Sequence, residues 1–192
     1  MGTIDVDTEG SVPLREEEEV PEVQPASQEP AHDNYHIIDH FRSCQDKSRL
    51  LAGFLQFSTP CFGTVIVFSV QPKQMRYLVG HGTALQADHI LQAPIPWMNG
   101  TLVRRIVMQR MPYQGPIPMD VEEKQMFAQF LQLLPSCCWL YPMAIGDVVD
   151  CLIYADSPKI APRMATQRLE FVIGKMVLAL RRLLVEHLLV QG

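Results

Sequence analysis

No Cys-x-x-Cys occurs among the five cysteines, Cys44, Cys61, Cys137, Cys138 and Cys151. Their odd number and scattered spacing suit neither a disulfide framework nor a zinc ribbon, so reduced, buried thiols are expected. No uncharged run reaches the roughly 18–20 apolar residues that a membrane-crossing helix requires. The longest apolar stretch, Phe171 to Val190, is broken by Lys175, Arg181, Arg182 and Glu186. A basic start followed by an apolar run is also missing, so no signal peptide is expected and a cytoplasmic protein is. Gly-x-Gly-x-x-Gly, phosphate-loop and Gly-x-Ser-x-Gly patterns are absent, and with them the usual signatures of dinucleotide binding, nucleotide hydrolysis and serine hydrolases. The basic pairs Arg104-Arg105 and Arg181-Arg182 stand alone. Nucleic-acid binding needs a denser basic face and is not expected.

What is present is sharply divided by charge. The chain has 192 residues and a formal net charge of -5. Residues 1–34 hold ten acids and one base, Arg15, and are near -9, whereas the remaining 158 residues are near +4. The acidic part contains the run Glu16 to Glu19, four prolines (Pro13, Pro21, Pro25 and Pro30) and no aromatic residue. Such a segment buries too little apolar area to offset an ordering cost of roughly 1–2 kcal/mol per residue, so disorder is expected over 1–34. The alternative is an arm that docks on a basic partner or on the body itself. Residues 35–192 are enough for one domain that buries about two-thirds of its unfolded surface.

Within the body, Ile37, Ile38 and Phe41 share a helical side. Ser43 to Asp46 suit a turn capping a second helix that carries Leu50, Leu51, Phe54, Leu55 and Phe57 and ends at Pro60. Phe62 to Val70 is rich in β-branched and aromatic residues, and the turn at Gln71-Pro72-Lys73-Gln74 leads to a second strand from Met75 to Val79. Ile90 to Ile95 is a third, whose flanking prolines suit a sheet edge. Asn99 or Thr101 caps a helix reaching about Met111. Pro112 to Pro118 must be extended or turning. Asp120 caps a helix to about Leu134, with Glu122 and Glu123 in its first turn. Trp139 to Ile145 and Val148 to Tyr154 form a hairpin through Gly146-Asp147, and a helix of some 27 residues closes the chain from about Arg163. This order indicates an α+β domain on an antiparallel sheet.

The ordered features resemble a GAF-like domain, the small sensory and regulatory α+β module of signalling proteins. They are Val65-Ile66-Val67-Phe68, then Met75 to Gly82, the helix Leu102 to Arg110, and Met111-Pro112-Tyr113-Gln114-Gly115-Pro116-Ile117-Pro118. Last comes the hairpin from Leu140 to Asp156, ending in Tyr154-Ala155-Asp156. The Pro-Tyr-x-Gly-Pro-x-Pro stretch is similar to GAF-like domains of bacterial, notably myxobacterial-type, regulatory proteins. The resemblance implies five or six antiparallel strands, with the N- and C-terminal helices on one face and shorter helices on the other. It also implies a ligand cleft between sheet and helices, for which Trp97, Tyr113, Tyr77 and Tyr154 are the candidate lining residues, with Trp139 and Tyr141 as further aromatics that could line it. The cyclic-nucleotide motif Asn-Lys-x-x-x-Phe is missing, no cysteine precedes a histidine as in bilin attachment, and of a cysteine relay only Cys137-Cys138 is present.

His36 and His40 stand at i, i+4, as zinc ligands on a helix do, but a third ligand is not evident, so no metal and no cofactor is expected. The closing helix carries Leu169, Ile173, Met176, Leu180, Leu183, His187 and Val190 at alternating steps of four and three. Val172, Val177, Leu184, Val185, Leu188 and Leu189 lie beside this stripe, so the apolar surface exceeds one face. The excess packs on the chain's own first helices or on another copy. The resemblance favours a second copy, with Leu169, Ile173, Met176, Leu180, Leu183, Ile37 and Phe41 in the interface. A non-catalytic regulatory module that dimerises and binds a protein partner is therefore expected. The alternatives are a small-molecule sensor and, more remotely, a thiol redox enzyme using Cys137 or Cys138.

Overall fold

A computed structural model describes residues 30–86, 92–96 and 99–191. Strands β1 (Phe62–Gln71) and β6 (Val148–Pro158) pair antiparallel in the middle of a six-stranded sheet. Their sequences are nearly continuous in apolar residues because both faces of these strands are covered. Val65 and Val67 on β1, with Cys151, Ile153 and Ala155 on β6, enter one core; Ile66, Phe68, Leu152 and Tyr154 enter the other. All nine side chains are fully buried.

The remaining strands are β2 (Gln74–His81), β3 (Ile95–Pro96), β4 (Tyr113–Gly115) and β5 (Cys138–Ile145), in the order β3-β2-β1-β6-β5-β4. Every neighbouring pair is antiparallel. The β5–β6 hairpin turns through Gly146, whose φ of 63° is the left-handed conformation that favours glycine in a two-residue turn.

Helices α1 (Pro30–Ser43), α2 (Lys47–Ser58) and α5 (Pro162–Gln191) cover one face, where Ile37, Phe41, Phe54, Trp139, Leu169 and Met176 meet. Helices α3 (Leu102–Gln109) and α4 (Val121–Ala128) cover the other, around Met75, Val103, Phe127 and Phe130. This is the expected arrangement, terminal helices on one face of the sheet and short helices on the other. Asp46, Thr101 and Asp120 cap α2, α3 and α4, each accepting the backbone N–H three residues on, from Arg49 (2.8 Å), Arg104 (3.4 Å) and Glu123 (2.8 Å). Helices α1 and α5 run parallel, tied at one end by Arg168 donating to Asn34 (3.0 Å) and at the other by Arg182 donating to the carbonyls of Arg42 and Cys44.

Several expected boundaries shift. The third strand is confined to Ile95–Pro96 within the described residues, at the sheet edge, where proline's missing N–H breaks no ladder. Ile90, also expected there, lies outside the described residues. Helix α3 stops at Gln109 because Arg110 turns left-handed, with φ 57°. Helix α4 stops at Ala128, six residues before the expected end. There the backbone leaves the helix to pair with a loop: Gln86 N–H donates to Phe130 O (3.1 Å) and Gln132 N–H to Ala84 O (2.8 Å). The segment after Pro112 is strand β4, a second short edge strand.

Candidate functional site

On the face covered by α3 and α4, alternation on β6 turns Leu152 and Tyr154 towards the short helices. The Tyr154 ring lies 5.5 Å from Phe130 and 6.0 Å from Phe127, and Phe68 closes on Phe130 at 5.0 Å. These rings fill the space between sheet and short helices. The Tyr154 hydroxyl donates to Asp156 Oδ2 at 2.6 Å, and burial beside that carboxylate raises the phenol pKa further above its ordinary value. Tyr113 sits half-buried at the edge of this layer, its hydroxyl donating to Pro116 O (2.6 Å). Tyr77 is also half-buried against the same core. The structure thus brings Tyr77, Tyr113 and Tyr154 to one layer, with Tyr154 wholly enclosed. Trp97 lies outside the described residues, and Trp139 and Tyr141 belong to the core on the other face.

Acidic and thiol groups share the same layer. Cys138 is fully buried, and desolvation, reinforced by Cys137, Asp156 and Glu123, pushes its thiol up to about 12. Cys151, on the other face, is pushed up to about 11, again chiefly by burial. Neither forms an appreciable thiolate at neutral pH, the species that nucleophilic or redox chemistry uses. Cys137 is half-buried.

Glu123 is 2% exposed. One carboxylate oxygen accepts the N–H of Leu102, an otherwise orphaned donor at the start of α3, and the other is buried with no partner. Burial therefore holds its carboxyl pKa above the usual range. The folded protein retains this proton more tightly than the unfolded chain, so stability falls as pH rises above the usual glutamate range. Glu123→Gln keeps the acceptor and cannot ionise. It should flatten that decline and be at least as stable as the parent at pH 7, whereas Glu123→Ala should cost about 1–2 kcal/mol through the lost cap. Thermal unfolding at pH 4.5 and 7 checks both; identical pH slopes for parent and Glu123→Gln would refute the assignment.

An open cleft of about 610 Å³ lies at the hairpin end of the sheet, between the β1–β2 turn, the β5–β6 turn and α3. Val70, Val107 and Val149 give it an apolar floor, and Lys73, Arg104 and Arg110 line its rim. Arg110 bonds Asp147 at 3.0 Å. Nothing in the local sequence marks this cleft, because its three parts are separated by more than thirty residues each.

The helical layer carries a run of exposed apolar side chains. Of the residues expected to meet a second copy, Ile37, Phe41, Leu169, Met176 and Leu180 are buried within the chain, where α5 packs on α1, α2 and the sheet. Ile173 and Leu183 are half-buried against the same core. What stays open on α5 is Leu178 and the far end: Leu184 (43% exposed), Val185 (56%), Leu188 (69%) and Leu189 (77%). The paired histidines separate as well: His36 is exposed, while His40 packs edge-on to Phe41 and Phe57. Among the described residues no three His, Cys, Asp or Glu side chains are grouped to hold a metal ion, and no helix is long and apolar enough to cross a membrane.

No protein-family model and no curated protein matches the sequence. Solved structures do match in shape. Residues 122 to 287 of a methyl-accepting chemotaxis protein superpose with a TM-score of 0.65 at 11% identity, over 81% of this chain and 99% of that one. The phycoerythrobilin-bound GAF domain of a cyanobacterial phytochrome gives 0.61 at 10% identity, over 81% and 98%. The GAF domain of a two-component sensor histidine kinase from Bacillus halodurans gives 0.56 at 11%, over 75% and 99%. At such identities the likeness is one of fold, and in fold the chain is a GAF-like domain.

Proposed function

We propose that this chain is a non-catalytic regulatory module, of the bacterial cytoplasmic kind its Pro-Tyr-x-Gly-Pro-x-Pro stretch resembles, and that it acts by pairing with a second copy through its helical face. The observation that carries this reading is the open apolar end of α5, where Leu184, Val185, Leu188 and Leu189 project beyond the buried stripe. Burying such side chains yields roughly 1.5–3 kcal/mol each when complete, a strong drive for a helix end to find a partner. Two further observations favour it. Aromatic rings fill the layer where a GAF-type ligand would lie, and Cys138 is held as a thiol. Solved neighbours include a sensor histidine kinase domain and part of a chemotaxis protein, both of signalling systems.

Val185→Glu with Leu188→Glu tests this without touching the core. Sedimentation should show the parent as a dimer and the variant as a folded monomer whose melting temperature, unlike the parent's, does not depend on protein concentration. An unchanged mass for the variant sinks the reading.

A second reading has its own observation. The 610 Å³ cleft falls in the size range of small-molecule pockets, and Lys73 and Arg104 beside an apolar floor, with Arg110 paired to Asp147, suit an amphipathic anion. Small molecules retained by the purified protein, and released by Arg104→Glu, would favour sensing at this cleft.

A further inference from the structure

Between α1 and α5 runs a groove of about 190 Å³ with Ile38, Phe41 and Ala179 on its floor and Arg42, Lys175 and Arg182 along its sides. No carboxylate lines it. Arg182 is fixed by its bonds to the Arg42 and Cys44 carbonyls and pairs with Glu186 at 3.5 Å, so Arg42 and Lys175 are the cations of the groove with charge to offer. The Lys175 ammonium lies 5.0 Å above the Phe171 ring, and Arg42 is exposed. An apolar trough flanked by cations calls for an extended acidic segment with interspersed apolar residues.

The chain itself has one. Glu16 to Glu19 is followed by Val20 and Val23, and the segment joins α1 at Pro30, eight residues before Ile38 on the same helix. We propose that residues 16–23 double back along α1 and dock here, with Glu16 to Glu19 facing Arg42 and Lys175, and the two valines over Ile38 and Phe41. The reach is comfortable. Arg42 lies about 18 Å along the helix from Pro30 at 1.5 Å per residue. The ten residues between Glu19 and Pro30 span about 17 Å as a flexible coil and up to roughly 33 Å when extended. The order matches too: the valines, nearer Pro30, reach Ile38 first, and the glutamates reach Arg42 beyond, with Lys175 alongside on α5. The other cation-lined cleft sits by α3 on the opposite face of the sheet, so the segment would have to round the sheet edge to enter it. Docking makes physical sense of the charge division between a segment near -9 and a body near +4.

Zero-length carbodiimide coupling on the full chain reads the contact directly. The reagent activates a carboxylate and leaves as a urea, so an amide forms only where an ammonium already touches it. The body has five lysines, Lys47, Lys73, Lys124, Lys159 and Lys175, and each reports a different place. Peptide mass mapping should find Glu16 to Glu19 joined to Lys175 at least fivefold more than to any other lysine. The yield should fall severalfold between about 20 mM and 500 mM salt, as screening of surface charge requires. Arg42→Glu, at an exposed position, should lower it severalfold without changing the melting temperature. Lys175→Arg, which keeps the charge but cannot couple, should abolish the product. Mixing isotopically light and heavy protein should give products within one chain only. Coupling concentrated at Lys73, equal yields across the five lysines, or light–heavy products would each overturn the proposal.

Discussion

Replacing Phe130 by alanine is expected to cost about 3–5 kcal/mol of stability, the range for deleting a fully buried aromatic side chain. Phe130 is 0% exposed and meets Phe68 at 5.0 Å, Phe127 at 5.4 Å and Tyr154 at 5.5 Å. Its ring is the common neighbour of the other three, so its removal takes away three edge or tilted ring contacts as well as apolar burial. The melting temperature should fall by on the order of 10 °C, given roughly 2–4 °C per kcal/mol at this size. The variant should also gain a dry, aromatic-lined cavity that small apolar solutes such as benzene occupy, raising its melting temperature again in proportion to their concentration. The parent should show no such response. If Phe130→Ala cost under 1 kcal/mol, or if benzene stabilised parent and variant alike, the layer between sheet and short helices would already be open, and a ligand site in that layer, distinct from the cleft at the hairpin end, would take precedence.

Gly53→Ala should be destabilising by about 1–3 kcal/mol, although alanine is the better helix former. A Cβ at Gly53 would stand 2.1 Å from His40 Nε2 and 2.5 Å from its Cδ2, so α1 and α2 approach each other here through a glycine. The His40 ring lies 5.6 Å from Phe41 and 5.4 Å from Phe57, and its buried Nε2 has no hydrogen-bond partner, so the ring is held by packing. Combining Gly53→Ala with His40→Ala should restore much of the loss relative to the sum of the single changes, a coupling of contacting residues that a double-mutant cycle in urea measures. Gly174 on α5 is the control. Nothing lies within 4 Å of a Cβ there, so Gly174→Ala should stabilise by about 0.5–1 kcal/mol. Equal effects at both glycines would show that the α1–α2 contact is looser than described.

What was legible in the sequence follows from which forces act locally. The central strands announce themselves because both faces are buried, so Val65-Ile66-Val67-Phe68 and Cys151-Leu152-Ile153-Tyr154 are apolar throughout. Caps are local hydrogen bonds, and Asp46 and Asp120 are found where their spacing puts them; of the two candidates for α3, Thr101 takes the role. Edge strands β3 and β4 are short and proline-flanked, and exist through pairing with a neighbour that no local pattern encodes. The end of α4 is likewise decided by the loop at Ala84 to Gln86, more than forty residues away in sequence. The same holds for the site. Tyr77, Tyr113 and Tyr154 do share a layer, yet the complete enclosure of Tyr154 depends on Phe127 and Phe130 arriving from α4 and the turn after it. The heptad stripe on α5 is plain in the sequence, but periodicity does not say what covers it. In the fold Leu169, Met176 and Leu180 are used within the chain, and the open residues are Leu178 on the outer side and those one and two turns beyond Leu180.

If the molecule acts through its helical face and not through a filled cleft, native mass spectrometry of the full chain, which tests both halves at once, should show an assembly of two chains, each of 21.8 kDa, with no additional small-molecule mass. A monomer carrying a bound small molecule would contradict that mode of action.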